Sequence, residues 1–161
     1  HVKFMLVNAP GYLFSLPAAL LTLAGIAVMG LSLFGTQMGS VTFGLQTMIA
    51  GSLVTIVGYQ VGTLAMFSSI ATDPIREPRD PITQRVRGRF KLEHGASFGV
   101  GLFLIGALVL SYAVVGWTIE GYAAVPSATV NLLASTVTML GVQTIFCSFF
   151  LSMLATSGDP A

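Results

Sequence analysis

The sequence predicts an all-α integral membrane domain. Four transmembrane helices are expected as two antiparallel hairpins, with an interfacial amphipathic helix between the second and third spans. Three observations carry this expectation. The 161 residues are 54% hydrophobic and only 8% charged, against about 25% charged in an ordinary soluble domain. Such a chain cannot cover a water-facing surface with polar atoms. Its apolar residues gather into four runs of spanning length, and its basic residues fall on one side of those runs.

The runs predict spans over approximately 12–35, 43–70, 96–117 and 130–155, within a single membrane domain covering 1–161. None of these spans contains Asp, Glu, Lys, Arg or His. About 20 such residues cross the hydrocarbon core as a helix. The runs are long, unbroken and without alternation of apolar and polar positions, which favours helices over barrel strands. In the first run, Pro17 is expected to separate a short interfacial turn, Tyr12 to Leu16, from the main span.

The connections set the topology. Thr36 to Ser40 and Thr118 to Ala128 are short, so each is expected to join an antiparallel pair. The 72–95 connection is longer and holds Arg76, Arg79, Arg85, Arg87, Arg89 and Lys91. Lys3 is the only other basic residue. With four spans all seven lie on one side, and the positive-inside rule places both termini and the 72–95 loop in the cytoplasm. The expected location is a bacterial inner (cytoplasmic) membrane. Trp117 and Tyr122 stand where an outer aromatic belt belongs.

Within the long loop, Asp80 followed by Pro81 is a helix start: an N-cap, then proline at the first helical position. Ile82, Val86 and Phe90 then recur every fourth residue, with Arg85 and Arg89 beside that stripe. This is the pattern of a helix lying in the interface plane. The basic residues can act as a topology signal that also attracts anionic lipid, worth about 1 kcal/mol each. Alternatively, Arg85, Arg87, Arg89 and Lys91 contact the phosphate of a lipid-linked substrate. Docking of an acidic protein surface is a third reading. Glu93 and His94 are expected at the turn into the third span, without a nucleophile or metal partner. No catalytic or metal-ligating set is expected in this chain, and a small patch against a membrane does not fit nucleic acid.

An internal repeat is expected. Val54, Thr55, Gly58, Gln60 and Phe67 align at constant offset with Val137, Thr138, Gly141, Gln143 and Phe150. Leu21, Leu23, Gly25 and Gly35 align more weakly with Leu102, Leu104, Gly106 and Gly116. Gln60 and Gln143 are read as interhelical polar contacts, since an amide in hydrocarbon needs a partner. The other reading is a polar spot that grips a lipid headgroup. Gln46 and Asn131, nearer the outer ends, are expected to be hydrated. The pairs Gly58/Gly62 and Gly95/Gly99 have the spacing that lets helices approach closely. Spans without charge or histidine argue against a proton relay, a voltage sensor or an ion pump. Cys147 is the only cysteine, so no disulfide within the chain and no Cys-based metal site is expected.

Three stretches carry a family resemblance. His1, Lys3, Phe4, Pro10, Tyr12, Leu13, Phe14 and Pro17 resemble the start of the C-terminal membrane region of bacterial family 2 glycosyltransferases of the polyprenyl-phosphate (dolichol-phosphate-sugar synthase-like) type. The loop end Phe90 to Gly95 looks like that family's passage into its third span. Leu140 to Leu154 is similar to its closing run. The resemblance covers nearly the whole chain. It implies that catalysis belongs to a cytoplasmic GT-A domain upstream, with an Asp-rich site for Mg²⁺ or Mn²⁺ and a nucleotide-sugar. Nothing in this chain matches that part, so no cofactor and no catalytic residue is expected here. A first residue His1 in place of Met fits a processed product or part of a longer protein.

The leading functional expectation is therefore a membrane-anchoring domain that positions a polyprenyl-phosphate acceptor and is not catalytic alone. The alternative is a non-catalytic accessory or scaffold subunit of a larger membrane complex. A small lipid transporter is a third, weaker reading. Expected partners are membrane lipids, polyprenyl phosphate and other membrane subunits.

Overall fold

The structure is a computed structural model that describes residues 10–35, 37–38, 41–72, 92–119 and 127–156. Each of the four apolar runs is a helix: α1 is Pro10–Leu33, α2 Leu45–Thr72, α3 Leu92–Ile119 and α4 Ala128–Thr156. They contain 24, 28, 28 and 29 residues. At 1.5 Å per residue that is roughly 36–43 Å, enough to cross a hydrocarbon core of about 30 Å. All four are long and apolar enough to span a membrane, and the chain is a multi-pass membrane protein. The proposed interfacial helix over Asp80 to Phe90 lies outside the described residues.

Local chemistry sets the helix ends. After α1, Gly35 takes a positive φ of 60° and its N–H donates to the Ser32 carbonyl at 3.3 Å. Glycine adopts this left-handed conformation without the Cβ penalty, which is why helices so often stop there. A two-residue strand β1 (Gln37–Met38) then pairs antiparallel with β2 (Val41–Thr42), with Gln37 opposite Thr42 and Met38 opposite Val41. At the other short connection, the Ser127 carbonyl accepts the first helical N–H of α4, from Asn131, at 3.0 Å.

Two local expectations are corrected. α1 runs without interruption through Pro17, so Tyr12 to Leu16 is the first part of the helix and not a separate turn. Proline removes one i→i−4 bond, yet transmembrane helices tolerate this because the rest of the ladder stays closed in a medium that offers no water. α3 begins at Leu92, so Glu93 and His94 belong to its first turn. Satisfying backbone amides internally extends the helix beyond the purely apolar run.

Packing is the reverse of a soluble domain. Among the described residues, the buried side chains are mostly small or hydroxylated: Ala18, Ala65, Ala134, Ser32, Ser52, Thr55, Thr136 and Ser148, with Met29 and Met48 as the larger exceptions. Large apolar side chains face outward; Leu20 is 61% exposed, Leu108 68% and Phe146 69%. Lipid is as apolar as leucine, so burying leucine gains little, and close backbone approach decides which faces meet.

α1 packs on α2, α2 on α4, and α4 on α3, while α1 also touches α4. The α1–α2 contacts run in opposite directions along the two helices, from Ala18 against Gly62 to Met29 against Gly51. The α3–α4 contacts do the same, from Gly99 against Ile145 to Gly106 against Ala134. α2 and α4 run in the same direction. Ser52 meets Thr136 at 2.7 Å and Tyr59 meets Thr144 at 2.6 Å. Phe67 meets Phe150 edge-on, with ring centroids 4.8 Å apart.

One contact recurs in both antiparallel seams. Gly25 lies against the Oγ1 and backbone N of Thr55, and Gly106 lies against the same two atoms of Thr138. These are the positions that align between the two halves of the sequence.

Candidate functional site

The site is built from small residues. Ala18 on α1, Gly58 and Gly62 on α2, and Gly95 on α3 leave room where four helices converge. The result is a cavity of about 720 Å³, within the roughly 300–1,000 Å³ typical of ligand pockets. α1 lines it with Ala18, Thr22 and Leu23, and α2 with Tyr59, Gly62, Thr63 and Phe67. α3 adds His94, Gly95 and Phe98, and α4 adds Thr144, Cys147, Ser148 and Leu151. These residues lie toward the start of α1 and α3 and the end of α2 and α4. The cavity therefore occupies the end of the bundle from which the 73–91 connection leaves.

The packing order leaves one side of the cavity without a helix–helix seam. α1, α2, α4 and α3 form a row, each packed on the next, and α1 and α3 do not pack on each other. Both nevertheless line the cavity. Among the described residues, the side between α1 and α3 thus has no helix–helix seam.

Many lining residues carry hydroxyls, yet their hydrogens are already engaged. Thr22 donates to the Ala18 carbonyl at 2.8 Å and Thr63 to the Gln60 carbonyl at 2.9 Å. Thr144 donates to the Leu140 carbonyl at 2.6 Å and Ser148 to the Thr144 carbonyl at 2.8 Å. Since the one Thr144 hydrogen is used, the Tyr59 hydroxyl is the donor in its 2.6 Å bond to Thr144. A hydroxyl bonded to its own helix presents mainly carbon to a neighbour, so the wall is more apolar than its composition implies. The His94 side chain is exposed, at the end of the cavity nearest the 73–91 connection.

The expected site residues fare differently. Arg85, Arg87, Arg89 and Lys91 lie outside the described residues. Gln60 has an exposed side chain, and Gln143 is half-buried with its Oε1 enclosed and without a hydrogen-bond partner. The bonds across the α2–α4 seam are made by the residues beside them, Tyr59 and Thr144, and one helical region away by Ser52 and Thr136. Thr136 donates to the Leu132 carbonyl, so Ser52 is the donor there. Asn131 departs from its expected hydration: its Oδ1 is enclosed and has no hydrogen-bond partner. The cavity itself is not legible in the sequence. Its signal was the Gly58/Gly62 and Gly95/Gly99 spacing, which reads as helix packing whether or not a gap remains beside it.

No solved structure matches this chain. A curated relative does: the low-salt glycan biosynthesis hexosyltransferase Agl6 of Haloferax volcanii is 38% identical over 154 residues. Those residues are 96% of this chain and 37% of the relative, so the chain spans little more than a third of that protein's length. The family description "Glycosyltransferase family 2 C-terminal transmembrane region" matches residues 71–155. That match takes in the end of α2, the basic connection, α3 and α4. The chain therefore belongs to the C-terminal transmembrane region of family 2 glycosyltransferases.

Proposed function

We propose that this chain anchors a glycosyltransferase in the membrane and positions a polyprenyl-phosphate acceptor for it, without catalysing transfer alone. The observation that carries this reading is the cavity lined by all four helices at the end of the bundle where α2 gives way to the basic connection and α3 follows it. A lipid whose chain lies among these helices brings its phosphate to the level of that connection. Arg85, Arg87, Arg89 and Lys91 then supply the positive charge that a phosphate needs. In this reading the connection and both termini face the cytoplasm, as the basic residues dictate. The nucleotide-sugar and any Mg²⁺ or Mn²⁺ belong to a catalytic part that this chain does not supply.

The test is binding of polyprenyl phosphate to the full-length protein reconstituted in nanodiscs. The Arg85→Ala/Arg89→Ala variant removes two charges worth about 1 kcal/mol each, so affinity falls by up to roughly 30-fold. Polyprenol, which lacks the phosphate, binds the parent and the variant equally. Equal binding of polyprenyl phosphate by both proteins defeats the phosphate role and leaves those arginines as a topology signal.

A further inference from the structure

We infer that the Tyr59–Thr144 bond is a latch between two rigid hairpins, and that its release lets them turn about the Ser52–Thr136 end of the α2–α4 seam and widen the cavity. The inference concerns the bundle itself and does not rest on the acceptor reading above. Within each hairpin the helices are joined by close backbone approach. Gly25, Gly51 and Gly58 lie against the opposite helix of the first hairpin, and Gly99, Gly106 and Gly141 against that of the second. Small residues let the backbones meet directly, and contacts this closely packed resist deformation. Each hairpin therefore moves as a unit.

The joint between the hairpins is built differently. α1 touches α4, but among the described residues α3 packs on α4 alone. α2 and α4 meet through side chains, Ser52 with Thr136, Tyr59 with Thr144 and Phe67 with Phe150. The first pair is buried and lies away from the cavity, whereas Tyr59, Thr144 and Phe67 line it. The cavity wall is shared, with Thr22 and Gly62 on one hairpin and Phe98 and Ser148 on the other. Its width therefore follows the angle between the hairpins. Thr144 donates its one hydrogen to the Leu140 carbonyl, so the Tyr59 hydroxyl is the donor across the seam at the level of the cavity. Tyr59→Phe removes that bond and keeps the ring.

The experiment measures distances between paired spin labels by electron–electron double resonance. It uses the full-length protein in nanodiscs, with its native cysteines, Cys147 included, replaced by serine. One label pair, at Leu16→Cys on α1 and Val100→Cys on α3, spans the two hairpins. The other, at Leu16→Cys and Leu64→Cys, lies within the first hairpin. Leu16, Val100 and Leu64 are 61%, 42% and 65% exposed, so the labels point away from the packed seams. The pair across the hairpins is expected to show two separations, and the pair within one hairpin a single separation. A hydrogen bond between spans shifts an equilibrium about threefold, so Tyr59→Phe should raise the ratio of long to short α1–α3 separations by that factor. Phe150→Leu removes the edge-on ring contact and should raise the same ratio by roughly two- to tenfold. A single α1–α3 separation in the parent protein and in both variants overturns the inference. An α1–α2 distance that splits along with the α1–α3 distance also overturns it, because the hairpin is then not a rigid unit. A ratio that Phe150→Leu raises and Tyr59→Phe leaves unchanged removes the latch from Tyr59.

Discussion

The α1–α2 and α3–α4 seams are built alike at one end and differently at the other. Both put a glycine of the first helix against a threonine of the second, Gly25 on Thr55 and Gly106 on Thr138. Further along, the first seam places Ala18 against Gly62, two small residues. At the aligned positions the second seam places Gly99 against Ile145, whose Cγ1 lies 2.9 Å from where a Cβ on Gly99 would stand. One seam therefore keeps space beside it and the other is filled. The residue facing Gly58 changes as well, from Thr22 to Phe103 opposite Gly141. The lesson is that a shared approach geometry fixes how the helices cross, while a few side-chain volumes decide on which side a cavity survives.

The sharpest way to break this comparison is to enlarge the shared glycines. A side chain at Gly25 would meet backbone as well as side chain, including the Gly51 carbonyl oxygen at 2.7 Å. Overpacking typically costs about 1–3 kcal/mol, and backbone cannot move aside like a rotamer. Gly25→Leu and Gly106→Leu should therefore lose at least about 3 kcal/mol, measured by thermal unfolding in detergent micelles. Gly30→Leu, on the same helix as Gly25 but where an added Cβ would meet nothing within 4 Å, should stay within about 0.5 kcal/mol of the parent. Similar losses at Gly25 and Gly30 would show that close approach is not what holds the first seam.

Next in size is the exchange of the filled and open positions. Ile145→Ala removes the side chain that fills the second seam and should cost about 2 kcal/mol. Gly62→Ala should instead stabilise by about 0.5–1 kcal/mol, because it gains helix propensity and meets only an ordinary contact. Gly99→Ala, at the tight position, should destabilise. The contrast between Gly62→Ala and Gly99→Ala reads directly on the difference between the seams, and equal signs would remove it.

The smallest effects belong to the parallel α2–α4 seam, which joins the two halves. A double-mutant cycle on Phe67 and Phe150 should give a coupling of about 0.5–1.5 kcal/mol, as for other edge-on aromatic pairs. The same cycle on Ser52 and Thr136 should give about 0.6 kcal/mol, the common value for hydrogen bonds between transmembrane helices. Couplings near zero at both pairs would mean that the halves are held by backbone approach alone.

The four helices were readable in the sequence because their signal is length and apolarity, which need no tertiary context. The boundary at Leu92 was not, because Glu93 and His94 resemble loop residues, and only the demand for internal hydrogen bonding carries α3 past them. Pro17 misled for a similar reason: in water its missing N–H ends helices, whereas in lipid the alternatives to helix cost more. For the glutamines, composition pointed to the neighbourhood of a cross-helix bond. The cross-helix bond beside them joins Tyr59 and Thr144, since rotation about the helix axis, about 100° per residue, decides which of two adjacent polar side chains faces the seam.

By itself the sequence determined that this protein lives in a membrane, how many described helices cross it and which connection carries the positive charge. Each of these follows from transfer free energies summed along the chain, a local property. Only the tertiary structure decided that α1 and α3 stand apart while both line one cavity. Only it decided that the hydroxyls of Thr22, Thr63, Thr144 and Ser148 around that cavity turn back to their own helices. Cavity shape depends on which small residues face one another across helices far apart in sequence, and hydroxyl direction depends on rotamers that the neighbouring helix selects.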